Sequence, residues 1–373
     1  MTIVSIFVFV FALYYYTFLI RIRIGLRKSV GARELQETPR ASVVVAARNE
    51  EHLIEKCVRS LSAQSYPREL LEIIVVDDCS TDTTRSVLGR LQSEYPTLRI
   101  LSMADKSSEA ASRKTQALEY GISRASGTII LTTDADCVVP PRWAETMISA
   151  FDNDTAMVVG PVNEEAGRSF LSRISQVEFL GIVTTAGGLI GTGHPIICNG
   201  ANLAFCVSAF KAAGGYGHRN NFIDDEVLMQ RIAYRKIGRV QFCHARDAVV
   251  ATKPVETVFD FWHQRIRWAA KRGSSESTRV TVTLLLIYVS FLAFLSVIAL
   301  TLAAPDFALF GGMILAAKLI AEFQVISTGA TLFGQQIPFP VFLIAEVFHI
   351  PYVVLAGAAG QFLPKRWKGR AMP

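Results

Sequence analysis

The chain has 373 residues, 51% of them hydrophobic, and carries 38 lysines and arginines against 32 acids, a net charge of +6. A mean hydropathy of +0.33 is high for a soluble protein and low for a pure membrane bundle, so neither describes the whole chain. The basic residues gather beside apolar segments, which suits anionic lipid headgroups and argues against nucleic acid as a partner.

Ile3–Ile20 carries no charge and is close to the minimum length for a membrane span. No basic stretch precedes it and no clear small-residue cleavage site follows, so residues 1–28 read as an uncleaved transmembrane anchor. Arg21, Arg23, Arg27 and Lys28 come next, and the positive-inside rule puts residues 29–279 in the cytoplasm of a protein integral to the plasma (inner) membrane. The six cysteines (57, 79, 137, 198, 206 and 243) form no CxxC pair, as expected of free thiols in a reducing compartment.

Residues 40–260 have the composition of one globular domain. Short β-branched runs at 42–47, 72–76, 128–133 and 155–160 alternate with helical patterns at Glu51–Ser62, Thr83–Glu94 and Lys114–Ser123. That alternation predicts an α/β fold, a mostly parallel sheet with helices on both faces. Ligands of such sheets bind beyond the carboxyl ends of the strands. Three polar clusters stand there: Arg48-Asn49-Glu50, Asp77-Asp78 and Asp134-Ala135-Asp136. Any one acidic pair is explained as a helix cap, but three at matching positions point to one crevice.

Asp134 and Asp136 can share one hard divalent cation, Mg2+ or Mn2+, with positions left for water and phosphate oxygens. A nucleotide-linked diphosphate is the expected ligand, and Lys114, opening a helix, is placed to add a cation to its phosphates. No Walker A motif occurs, and Gly188, Gly191 and Gly193 have the wrong spacing for a dinucleotide fingerprint. The glycine-rich stretch 181–197 fits either the lining of a lipid access route or a plain buried loop and helix. In 221–232, Asp224-Asp225-Glu226 lead into a helix; acids in a first turn suit the helix dipole, yet they form a second acidic cluster apart from the metal pair.

Residues 261–279 read as an amphipathic interfacial segment. Within its "QRIRW" run, Gln264, Arg267 and Trp268 fall at i, i+3 and i+4 and share one side of a helix, while Arg265 and Lys271 are expected to point elsewhere, toward headgroups. Residues 280–363 hold further membrane segments, Val280–Ala304, Phe307–Leu332 and Ile337–Leu363, followed by a basic tail at 364–373. Four full crossings from outside would leave that tail outside, against the positive-inside rule. One of the last two segments is therefore expected not to cross, and Pro351 marks the final one as a candidate. Lys318, Glu322, Glu346 and His349 lie within apolar segments and are functional candidates by default. A transporter with a nucleotide-binding domain is a remote reading, because the segments are few and no inverted repeat is visible.

"VVAARNEE", "IIVVDDCSTD", "TDADC", "IDDEVLMQRI" and "QRIRW", in order over roughly residues 40–272, resemble the membrane-embedded branch of family 2 glycosyltransferases, which includes cellulose, chitin and hyaluronan synthases and ceramide glucosyltransferase. The resemblance implies a GT-A fold and a metal-dependent, inverting transfer from a nucleotide-diphosphate sugar, a UDP-sugar by expectation. A lipid or lipid-linked acceptor is preferred; the alternative is a saccharide acceptor in processive polysaccharide synthesis. By the same resemblance Arg48, Glu50, Asp77, Asp78, Lys114 and Asp134 would surround the donor. Asp134 and Asp136 would hold Mg2+ or Mn2+, Asp225 would be the general base, and Gln264, Arg267 and Trp268 would lie near the diphosphate and acceptor. Two departures stand out: Ile223-Asp224-Asp225 replaces the family's frequent Thr-Glu-Asp, and Arg113 precedes Lys114 where glycine is common.

Overall fold

The computed structural model describes residues 2–35, 38–103, 114–165, 167, 169–216, 225–269, 275–362, 365–367 and 370–372. After a long apolar helix, α1 (Thr2–Leu26), the chain alternates β1 (Ala41–Ala47), α2 (Ile54–Ser62), β2 (Leu71–Asp77), α3 (Thr84–Glu94), β3 (Leu98–Ser102), α4 (Lys114–Ser123) and β4 (Ile129–Thr132). There follow β5 (Cys137–Val138), α5 (Trp143–Ser149), β6 (Thr155–Val159), β7 (Val162–Glu164), α6 (Phe170–Gly191), β8 (Leu203–Cys206), α7 (Val207–Ala212), α8 (Asp225–Tyr234), β9 (Arg239–Phe242) and β10 (Val250–Thr252). The rest is helical, α9 (Val258–Ala269), α10 (Thr278–Ala303), α11 (Pro305–Phe333) and α12 (Phe339–Phe362), before a short hairpin of β11 (Lys365–Trp367) and β12 (Arg370–Met372).

Seven strands form one sheet in the order β3-β2-β1-β4-β8-β6-β9, parallel except where β8 runs against β4 and β6. Nearly every residue of β1, β2 and β4 is buried, as the continuous Val/Ile runs require of a sheet covered on both faces. A second sheet, β5-β10-β7, stands beside it. The seam between them is pinned by Asn202, whose amide donates to Pro161 and Ala248 carbonyls at 2.7 Å each and accepts from the Trp143 indole at 2.9 Å.

Five helices of the described residues are long and apolar enough to cross a membrane: α1 from Ser5, α6, α10, α11 and α12. The sequence reading anticipated four of them and left α6 open. The ends of the α6 excursion return to adjacent strands, with Val159 of β6 paired to Leu203 of β8. A single crossing would separate them, so α6 serves instead as a joint. It packs on α1, α11 and α12 to one side and on β7 and β9 to the other. The contact with α1 is glycine on glycine: a Cβ on Gly25 would fall 1.8 Å from the Gly188 carbonyl, and one on Gly191 would fall 2.0 Å from the Gly25 carbonyl.

Lys318 and Glu322 of α11, Glu346 and His349 of α12 and Tyr15 of α1 form one largely buried cluster. Lys318 donates to Glu322 and Glu346 at 2.7 Å each, the Tyr15 hydroxyl donates to Glu322, and His349 lies 3.4 Å from Glu322. The cluster ties α1, α11 and α12 together. Both ends of α12 meet the sheet domain's side of the molecule. Val341, Phe342 and Ala345 join the core that contains the sheet, and β11, just past the other end, lies against α9.

Candidate active site

The carboxyl ends of β1, β2 and β4 lie side by side because these strands are neighbours in register, Ala47 opposite Asp77. The loops that follow are stitched together. Arg48 donates to the Asp78 and Cys79 carbonyls at 2.7 and 3.0 Å, and Asn49, at φ 51°, accepts from the Thr81 N–H at 2.9 Å. Asp77 accepts from the Ser80 N–H at 3.2 Å, and the Glu50 N–H donates to the Thr84 hydroxyl at 2.8 Å. Glu50, Asp77 and Asp78 are all buried, so they form the floor of the crevice.

Asp134 and Asp136 stand above that floor, more open. Each faces a cation: Lys114 is ion-paired with Asp134, and Lys253 Nζ lies 3.4 Å from Asp136. Burial works against the charge of Lys114, but Asp134 and Asp225 more than offset it and hold the ammonium above its ordinary range. One lysine thus pairs with the candidate metal pair and feels the charge of the candidate base as well. Burial also pulls the Arg267 guanidinium down, while the two carboxylates it faces, Asp134 and Asp136, work to retain its charge. Burial, with Asp136 and Asp134 adding to it, raises the Cys57 thiol well above its usual range, so that group is a neutral wall of the crevice.

The pair suits a hard divalent cation. It offers two carboxylates and no other donor type, and the molecule already sets ammonium groups against both. Mg2+ and Mn2+ typically take one or two carboxylates and complete their shell with water and substrate phosphates.

Asp225 opens α8 and is buried. The Tyr216 hydroxyl donates to its Oδ1 at 2.7 Å, and its Oδ2 lies against Gly200, where a Cβ would be only 1.8 Å away. Asp224 and Arg113 lie outside the described residues.

The α9 helix departs from expectation. Arg265 does not reach headgroups; it is 3% exposed and is the hub of the helix's buried face. Its Nε lies 3.0 and 2.9 Å from the two Glu178 oxygens, Nη2 donates to Ser175 at 3.2 Å, and Nη1 donates to Gln264. The guanidinium also lies 4.5 Å from the Phe261 ring and 4.6 Å from the Trp268 ring. The reason is helical geometry: positions 261, 265 and 268 are spaced i, i+4, i+7 and form the inward stripe. Trp268 packs on Phe179, 5.8 Å between centroids, and Gln264 is held by Arg265, so of the three expected residues Arg267 is the one directed at the carboxylates. Lys271 lies outside the described residues.

Sequence reasoning missed Tyr216, Gly200, Lys253 and the Glu178–Ser175–Glu164 set beneath α9. Glu178 had a signal, since it is the one acid between Arg173 and Gly191 in a long apolar run.

Two family models match the chain, "Glycosyl transferase family 2" over residues 42–213 and "Glycosyl transferase family group 2" over residues 129–334. Similar curated proteins include the β-monoglucosyldiacylglycerol synthase of Synechocystis sp., 29% identical over 62% of this chain and 47% of that protein. Another is the poly-β-1,6-N-acetyl-D-glucosamine synthase of Staphylococcus epidermidis, 25% identical over 63% of this chain and 55% of that protein. The matches span about half the length of these relatives. Among solved structures, the mannosyltransferase PcManGT from Pyrobaculum calidifontis, in complex with GDP-Man and Mn2+, superposes with a TM-score of 0.61 at 22% identity, covering 97% of each chain. The fold is of the GT-A type.

Proposed function

Because this chain belongs to glycosyl transferase family 2, we propose that it transfers a sugar from a nucleoside diphosphate donor to a lipid or lipid-linked acceptor at a membrane surface, with inversion at the anomeric carbon. The observation that carries this is Lys114, ion-paired with Asp134 and also held charged by the field of Asp225. It couples the leaving-group side of a displacement electrostatically to the acceptor side.

The floor carboxylates Asp77, Asp78 and Glu50, with Arg48, form the nucleotide end. Asp134 and Asp136 would hold Mg2+ or Mn2+, which when bound would supply Lewis-acid neutralisation of the diphosphate charge. Lys114 and Arg267 direct their charge at the same leaving group, and stabilisation of charge that develops in the transition state accelerates the step. Asp225 accepts the proton of the acceptor hydroxyl, and Tyr216 holds that carboxylate in line. With the metal pair and the general base each given one role, the transfer proceeds as one direct displacement.

The membrane reading rests on the five apolar helices. Three crossings, by α1, α10 and α11, with α12 an unbroken helix through Pro351 that lies along α9 instead of crossing, keep the basic tail on the catalytic side, in line with the contacts of α12 and β11 with α9. The lipid acceptor is favoured by the glucosyldiacylglycerol synthase relatives, the polysaccharide alternative by the poly-N-acetylglucosamine synthase.

Membranes bearing the protein are incubated with divalent metal, labelled UDP- and GDP-sugars, and a lipid extract. Release of nucleoside diphosphate with label in the lipid phase is expected, and should fall at least about a hundredfold in Asp225→Asn membranes. Label in long water-soluble chains would favour the polysaccharide reading, and no turnover of any donor would refute the proposal.

A further inference from the structure

A groove of ≈470 Å³ opens between α1, the start of α10 and the loop that follows α6. Arg21 and Arg279 enter it from two helices, with His194 between them. The imidazole is fully engaged: Nδ1 accepts from the Tyr234 hydroxyl at 2.8 Å, and Nε2 lies 3.2 Å from the Thr283 hydroxyl, which itself donates to the Arg279 carbonyl at 2.8 Å. Burial, then the two guanidinium groups, push His194 below its usual range, so it stays neutral. The positive charge of the groove is therefore that of the two arginines. Among the described residues neither has an acidic partner within ion-pair distance.

The groove continues into a narrower apolar pocket along α1, between Tyr14, Phe18 and Leu189. At ≈30 Å³ it seats only the start of a hydrocarbon chain, but it opens toward the exposed apolar side of α1 at Leu13 and Val10, so one site offers two cations at its mouth and an apolar track behind. A free phosphate matches only the mouth. A phosphate with an acyl chain attached matches both.

We propose that Arg21, Arg279 and the adjoining slot form a binding site for one anionic phospholipid, distinct from the nucleotide crevice, with its phosphate between the guanidinium groups and an acyl chain along α1. The loop of this site runs on to the catalytic carboxylate. Ile196 accepts from Gln230 of α8 at 2.8 Å, and Gly200 at the far end of the loop backs Asp225. An occupied groove steadies that loop, so the lipid also stimulates turnover; this second effect rests on the function proposed above, whereas binding does not.

The purified full chain is exchanged into nanodiscs of phosphatidylcholine with a trace of labelled phosphatidylglycerol, and the label retained per protein is measured after washing. At about a fivefold loss for each arginine near a lipid phosphate, Arg21→Gln/Arg279→Gln should weaken retention roughly 25-fold. Arg21→Lys/Arg279→Lys, which keeps both charges, should recover most of it and so separates lost binding from lost folding. Arg27→Gln/Lys28→Gln removes two cations that do not line the groove and should retain lipid like the parent. Equal retention by the Gln pair, or equal loss in the Arg27/Lys28 control, overturns the site. Displacement of the lipid by inorganic phosphate alone would make it a site for soluble anions and overturn the lipid assignment.

Discussion

Replacing Arg265 with leucine removes the cation from a pair whose side chains are 3% and 8% exposed. Deleting one partner of a buried ion pair costs about 3–5 kcal/mol, because the other charge stays behind without compensation. Two guanidinium–ring contacts, on Phe261 and Trp268, add roughly 1 kcal/mol. Two effects work the other way: Tyr352 still donates to Glu178, and leucine fills part of the vacated volume. A net loss of about 3 kcal/mol is expected, a large share of the ~5–15 kcal/mol that holds a typical domain folded. The assay is denaturant unfolding in one fixed detergent for Arg265→Leu, Glu178→Leu and the double variant. The double should recover a coupling of about 2 kcal/mol, since it leaves no orphaned charge. Turnover should fall as well, because Gln264 and Trp268 lose the group that holds them. Wild-type stability and turnover in Arg265→Leu, or no coupling to Glu178, would refute the placement of α9.

Gly200→Ala sets a methyl against Oδ2 and Cγ of Asp225 and forces the carboxylate off its Tyr216 seat, so kcat per folded protein should drop at least about tenfold; an active variant sinks the base geometry. Asp225→Asn should lower transfer by about 10²–10⁴ with nucleotide affinity kept, measured by calorimetry against initial rates. Asp136→Asn should abolish metal-stimulated turnover, and full activity of the parent in EDTA would rule out the metal. Burial pushes the Glu164 carboxyl up to about 7, with Arg265 and Ser175 opposing and Glu178 adding to the rise. The folded chain then holds a proton that the unfolded chain releases above the ordinary value, so stability falls as pH climbs from there to about 7 and is level beyond. Glu164→Gln should remove that slope, matching the parent at about pH 4.5 and exceeding it by up to about 3 kcal/mol at about pH 8. Parallel curves would refute the buried, protonated carboxyl.

The strands and their terminal acids were legible because a parallel sheet needs unbroken β-branched runs and places its ligands where those runs stop. β1, β2, β4 and β6 appear within a residue or two of expectation. β8 was not, being four residues reversed between distant neighbours, a pairing that no local pattern encodes. α6 was obscured by its own glycines, which read as loop chemistry but serve close packing. On α9 the period was read correctly and the face wrongly. An arginine beside Gln264 carries no mark of burial, and its partner Glu178 lies 87 positions away. Asp225 was reached through resemblance; Tyr216 and Gly200, which hold it, had no local signature.

The glycine contact of α1 with α6 changes what the first helix is. A tether can be cut and the enzyme set free, but here the anchor's last turns are seated in the domain itself. Beyond Leu26 the chain goes on to exchange hydrogen bonds with β9, Val30 N–H to the Phe242 carbonyl and His244 N–H to the Val30 carbonyl, both at 2.9 Å. A fragment that begins after α1 would uncover the seat of Ile22 and Gly25 on α6 and come out of solution. The crevice therefore cannot swing relative to α1: under the membrane reading proposed above, its height over the bilayer would be set by backbone contact, and an acceptor would have to rise or slide to meet it.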